Sequence, residues 1–137
     1  MEVEALIDNG SSLVLIDEHL VSFLGLRVHE LPQPIPIGMA LSSSERTILS
    51  CYINLSVFSI DSHFQSRSIR AVIAPNLVKS LLLGYPFLAH NNILIDHALC
   101  SCVVKDSNYD LFHPPVPAPP HVTLTPTVIR SVHTVVQ

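Results

Sequence analysis

Asp8 closes an apolar run, Ala5-Leu6-Ile7, and is followed by Asn9-Gly10-Ser11-Ser12. An acid placed there sits on a tight turn, because glycine lets the chain reverse sharply and lets another backbone come close. A carboxylate presented this way can take or give a proton at a bound group. Alone it is a poor catalyst of amide hydrolysis. Two carboxylates a few ångströms apart cannot both ionise, so a pair shares one proton and separates the acid role from the base role. The chain holds a single Asp-x-Gly, since Asp61-Ser62-His63 and Asp106-Ser107-Asn108 lack the glycine. A catalytic pair would therefore need a second copy of the chain, related by a two-fold axis. The plainer alternative is that an aspartate before Asn-Gly at a strand end is only a turn residue.

The elements that would position Asp8 are mostly strands. Val3, Ala5 and Ile7 alternate with Glu2, Glu4 and Leu6 and predict a strand running into the Asp8 turn, with Leu13 to Ile16 returning. Asp17 is placed to cap a short helix over Glu18 to Leu24, with Leu20, Val21 and Leu24 facing inward and Gly25 ending it. Pro32, Pro34 and Pro36 make an extended segment that cannot be a central strand. Strands over Gly38 to Leu41 and Ile48 to Phe58 flank a polar tip, Ser42-Ser43-Ser44-Glu45-Arg46, which reads as a hairpin. After a turn over Asp61 to Gln65, Ile69, Ala71 and Ile73 alternate on another strand. Leu81 to Leu83 is a continuous apolar run, as a fully buried strand would be. Pro86 suits the first turn of a helix over Phe87 to Asn92. Ile93 to Ile95 and Leu99 to Val104 complete a closing hairpin, with Cys100 and Cys102 expected on one strand face. The sum is a small all-β, barrel-like domain of seven or eight short strands and two short helices.

Composition sets the outer limits. The 137 residues suit one domain, 48% are hydrophobic and only 13% are charged. With seven basic against eleven acidic residues and no basic cluster, nucleic acid is not an expected partner. No apolar run reaches the ~18 residues of a membrane span, and the N-terminus is acidic rather than signal-like. The expectation is an intracellular, cytoplasmic chain with no membrane contact. Three cysteines make no disulfide framework, and the eight histidines are scattered, so neither a metal nor a cofactor is expected. His90 and His97, the closest pair, read as surface or loop residues. Six of the fourteen residues from His113 to Pro126 are proline. The expected division is a folded domain over 1–110, a Pro-rich linker over 111–126, and a β-prone or disordered tail over 127–137.

The order of Ala5 to Ser12, Ile16 to Leu26, Pro32 to Ile37, Leu82-Leu83-Gly84-Tyr85-Pro86-Phe87-Leu88 and Ile95-Asp96 resembles the retropepsin-like aspartic protease domain of gypsy-class LTR retrotransposons. The resemblance covers roughly residues 3 to 105. It implies a small acid-protease barrel forming half of a two-fold homodimer, and an aspartic endopeptidase that processes a retrotransposon polyprotein with an activated water and no cofactor. Asp8 resembles the catalytic aspartate, with Asn9, Gly10, Ser11 and Ser12 completing the active-site loop. Gly84 resembles the glycine beneath that loop. Leu41, Ser42, Ser43, Ser44, Glu45 and Arg46 resemble the flap that closes over an extended peptide. Asp96 matches a position often acidic in the family and reads as structural. The family has Ser or Thr where this chain has Asn9, so the alternative function is a catalytically inactive protease-like module for dimerisation or peptide binding.

Overall fold

A computed structural model describes residues 1–38 and 46–113. The expected flap residues Leu41 to Glu45 lie outside the described residues, as do residues 114–137, which take in most of the expected linker and all of the tail.

The described chain is mostly strand. β1 (Ala5–Ile7) leads into the Asp8 turn, β2 (Leu15–Asp17) returns, and α1 (Glu18–Leu24) follows at once. β3 (His29–Gly38), β4 (Arg46–Leu55) and β5 (Ile69–Ala74) form a meander. β6 (Leu81–Leu83) precedes α2 (Tyr85–His90), and β7 (Ile93–Asp96), β8 (Ser101–Val104) and β9 (Tyr109–Asp110) end the described fold. Nine strands stand among the described residues, against an expected seven or eight. The extra one, β9, is two residues long and exists only by pairing with Val103 and Val104.

The strands form two separate sheets rather than a closed barrel: six strands in the order β1-β6-β2-β5-β4-β3, and three in the order β7-β8-β9. β6 lies between β1 and β2, parallel to the first and antiparallel to the second. Consecutive strands β1 and β2 are thus held apart by a strand from much later in the chain. The loop joining them must arch over the C-terminal end of β6, which places Asp8 beside Gly84.

Local chemistry explains most boundaries. Asp17 ends β2 and caps α1, its Oδ2 accepting the His19 N–H at 3.1 Å. Gly25 stops the helix at φ +64°, a left-handed conformation that glycine adopts without strain. The proline-bearing β3 is an edge strand, with a register shift between Glu30 and Ile35 where Pro32, Gln33 and Pro34 intervene. α2 begins earlier than expected, at Tyr85, with Pro86 in its first turn, and ends at His90.

The main core gathers Ile7, Ile16, Ile53, Leu81, Leu83 and Phe87, all essentially inaccessible to solvent. Burial of this apolar set is the chief stabilising term of the fold. Leu111 belongs to that core and Phe112 packs against it, so the packed unit continues past Asp110. A smaller, separate cluster on the large sheet contains Leu15, Leu49, Val72 and Ala74.

Two cysteines depart from the expected pattern. Cys102 is buried on β8, but Cys100 is exposed in the preceding turn at φ +50°. They share no strand face, because the hairpin turn extends through Cys100. Among the described residues, no helix is long and apolar enough to cross a membrane.

Candidate active site

The Asp8 turn is pinned from below by backbone alone. The Asp8 N–H donates to the Leu83 carbonyl at 3.1 Å, and the Tyr85 N–H donates to the Ser11 carbonyl at 2.8 Å. Between these two bonds sits Gly84. A β-carbon there would lie 2.0 Å from the Leu13 carbonyl oxygen and 2.7 Å from that of Ser11. Gly84 has an ordinary extended φ of −81°, so space rather than backbone freedom demands glycine. The run Leu81-Leu82-Leu83-Gly84 is thus a strand of the large sheet ending in the one residue over which the loop can pass.

Within the turn, the Ser11 N–H donates to the Asp8 carbonyl at 3.2 Å and the Gly10 N–H to Asp8 Oδ1 at 2.9 Å. The second bond fixes the carboxylate against its own turn. Among the described residues, no hydrogen bond reaches Asp8 Oδ2, and Asp8 is only half-buried. Gly10 is close to this carboxylate as well: a β-carbon on it would lie 3.3 Å from Asp8 Oδ1. Ser11 turns its hydroxyl inward, donating to the Leu13 carbonyl at 3.0 Å, and so braces the descending arm. Ser12 is exposed, and Asn9 is exposed at the apex.

Leu6 and Leu82 are direct register partners, and Leu15 pairs with Leu82. Leu6 lies two residues before Asp8 and so faces the same side of the sheet. An aliphatic strip therefore leads away from the carboxylate. On the other flank, a groove of about 490 Å³ opens between α2 and β7, bounded by Asn9, Tyr85, Leu88, Ile93, Ile95 and Lys105.

Asp8, Asn9, Gly10, Ser11, Ser12 and Gly84 come together as one loop and its support. Of the expected flap, only Arg46 is described, as the first residue of β4. Asp96 accepts the Leu99 N–H at 3.0 Å within the β7–β8 turn. Among the described residues, no three His, Cys, Asp or Glu side chains gather where a metal ion could be held.

Sequence reasoning gives His97 no role beyond the surface. Its Nε2 lies 3.4 Å from the side-chain nitrogen of Asn9, 88 residues away in the chain. Asp61, legible only as a turn residue, has a carboxylate that is 1% exposed. It accepts from Ser59 Oγ at 2.6 Å, from the His63 N–H at 3.0 Å and from the Tyr109 hydroxyl at 2.8 Å. Burial alone would raise the Asp61 pKa, but these bonds outweigh it and hold the carboxyl below the ordinary range. No signal along the chain links Asp61 with Tyr109, since β9 brings them together.

No curated protein matches the chain. A family model described as aspartyl protease matches residues 1–87, well over half of the sequence, and takes in both the Asp8 loop and Gly84. With the match spanning both the acid and the glycine that supports it, this chain belongs to the aspartyl protease family.

Proposed function

We propose that the protein is an aspartic endopeptidase whose active site is completed by a second copy of the chain. The observation that carries this is the state of Asp8. Its carboxylate is oriented by the Gly10 N–H through one oxygen, while the other has no donor among the described residues. A single such acid lacks a partner for amide hydrolysis. Its twin across a two-fold axis would supply one, and the pair would hold a single proton. The ionised member takes a proton from a water as that water attacks the scissile carbonyl. The protonated member passes its proton to the carbonyl oxygen; as the diol collapses it takes that proton back, while the first member hands the water's proton to the departing amine.

The α2–β7 groove supports the homodimer. It is contiguous with Asn9, it is partly apolar, and β7 has no further strand on its outer edge among the described residues. An extended peptide would run between the two copies, held by strand-like hydrogen bonds to backbone groups near Gly10 and to the expected flap around Ser42 to Glu45. The strip of Leu6, Leu82 and Leu15 favours apolar side chains next to the scissile bond. The natural substrate is then the polyprotein of a gypsy-class element, a reading that rests on the motif order along the sequence.

Asn9 favours a second reading, an inactive protease-like module, because it occupies the place of the usual hydroxyl residue. Cleavage of a peptide library at mildly acid pH, with Asp8→Asn as the control, separates the two. Cleavage abolished by the substitution supports the peptidase. No cleavage by a folded dimer supports the inactive module.

A further inference from the structure

We propose that His97 is a positioning residue for the Asp8 turn, acting through the side-chain amide of Asn9. The kinetic part of this proposal rests on the reading of Asp8 as the catalytic acid; the geometry does not. The inner side of the turn is fixed by the Asp8–Leu83 and Tyr85–Ser11 backbone bonds. The outer side has no such backbone anchor among the described residues. Among the described residues, the Asn9 side chain has one hydrogen-bonding neighbour, His97 Nε2 at 3.4 Å.

His97 is itself on a braced support. The Cys100 N–H donates to its carbonyl at 3.4 Å, and the Leu99 N–H donates to Asp96 Oδ1 at 3.0 Å, closing the β7–β8 turn around it. β7 in turn packs on α2, whose N-terminal boundary is Gly84. Hairpin and active-site loop are therefore attached to one frame, and the Asn9–His97 contact closes the circuit within one chain, beside the groove assigned to the second copy.

The contact reaches the carboxylate in two steps. The orientation of the peptide between Asn9 and Gly10 sets the direction of the Gly10 N–H, and that N–H is the donor holding Asp8 Oδ1. An amide nitrogen can only donate, so Nε2 must carry the lone pair and the ring proton must sit on Nδ1. In that tautomer His97 accepts from Asn9. Small errors in the placement of a reacting group are costly, which gives this outer tether a catalytic consequence.

Two measurements on the intact chain test it. The first is NMR of the Asn9 side-chain amide and the His97 ring nitrogens, which needs no catalysis. The expected result is a ring proton on Nδ1 and a shift of the Asn9 amide signals in His97→Ala. The second is kinetic. His97→Ala should lower kcat about three- to tenfold, the worth of one hydrogen bond, with KM changed by less than about twofold. His97→Gln should restore kcat, because its carbonyl accepts the same N–H. Asn9→Ser with His97→Ala should cost no more than Asn9→Ser alone, since serine is too short to reach. Unchanged Asn9 signals in His97→Ala, or an equal kcat loss from His97→Ala with and without Asn9→Ser, would overturn the proposal. A wild-type chain inert towards every peptide would sink the peptidase reading instead, and the NMR result would then decide the tether alone.

Discussion

Gly84 lies so close under Leu13 that a β-carbon on it would stand 2.0 Å from the Leu13 carbonyl oxygen. The obstacle is backbone, which cannot rotate aside as a side chain would. Gly84→Ala should therefore lift the Asp8 loop or separate β1 from β6. The expected cost is about 3 kcal/mol or more, the upper range for overpacking, seen as a fall in the denaturant midpoint. Gly10→Ala is a milder case, because its contact is with the Asp8 carboxylate at 3.3 Å. That substitution should spare the fold and reduce kcat, a contrast measurable on one pair of variants.

The requirement for two acids can be tested without relying on mixtures. Two copies joined by a flexible linker, one carrying Asp8→Asn, should lose about 10²–10⁴-fold in kcat, the usual worth of acid–base catalysis. The tethered wild-type pair should retain full activity per site. Equal activity in both would exclude a shared dyad.

Stability should fall at both ends of the pH scale, for different reasons. Burial favours the neutral acid at Asp61 and Asp110, but bonded donors prevail and lower both pKa values beneath the ordinary 3.8. For Asp110 those donors are the Cys102 N–H, the His113 ring and the Phe112 N–H. A carboxyl with a depressed folded pKa stabilises the fold above its unfolded pKa and loses that contribution as pH drops through the folded value. Acid unfolding should thus begin below about pH 4, and Asp61→Asn should flatten it. At the alkaline end, burial pushes Tyr109 and Cys102 up to about 12, from 10.0 and 9.0. A raised folded pKa in these groups stabilises below the unfolded value, and the benefit disappears as pH climbs towards 12. Tyr109→Phe should remove part of this alkaline loss while lowering stability at neutral pH. Chemical denaturation across the pH range checks both arms.

Asn91 is buried at the end of α2, accepting the Arg67 N–H at 2.8 Å and donating to the Phe87 carbonyl at 2.9 Å. It fastens the helix that follows Gly84 to the segment entering β5. Asn91→Ala leaves the Arg67 N–H without its acceptor, while the Phe87 carbonyl keeps the backbone N–H of residue 91 at 3.1 Å, and should cost about 1–3 kcal/mol. Calorimetry would show the loss, and Asn91→Asp should recover only the acceptor half.

Local rules carry far here because several elements are settled within a few residues. Asp17 before Glu18-His19 is a helix cap by its side-chain chemistry, and Gly25 supplies the left-handed stop. The prolines of β3 exclude a central position, and the strand is at the edge. Cys100 escapes the same rules because periodicity does not show where a hairpin turn ends. A non-glycine residue at φ +50° leaves no mark in an apolar pattern.

Short-range preferences are enough to specify the Asp8-Asn9-Gly10 turn, both boundaries of α1 and the alternating strands, and the single Asp-x-Gly is plain from reading along the chain. Steric limits and side-chain alternation act over a few residues, so a linear reading captures them. Long-range packing was needed to insert β6 between β1 and β2, to confine position 84 to glycine beneath the Leu13 carbonyl, and to bring His97 to Asn9. It also created β9, and with it the Asp61–Tyr109 bond. Such contacts join residues far apart along the chain, and the demand for a close-packed interior, not local propensity, selects them.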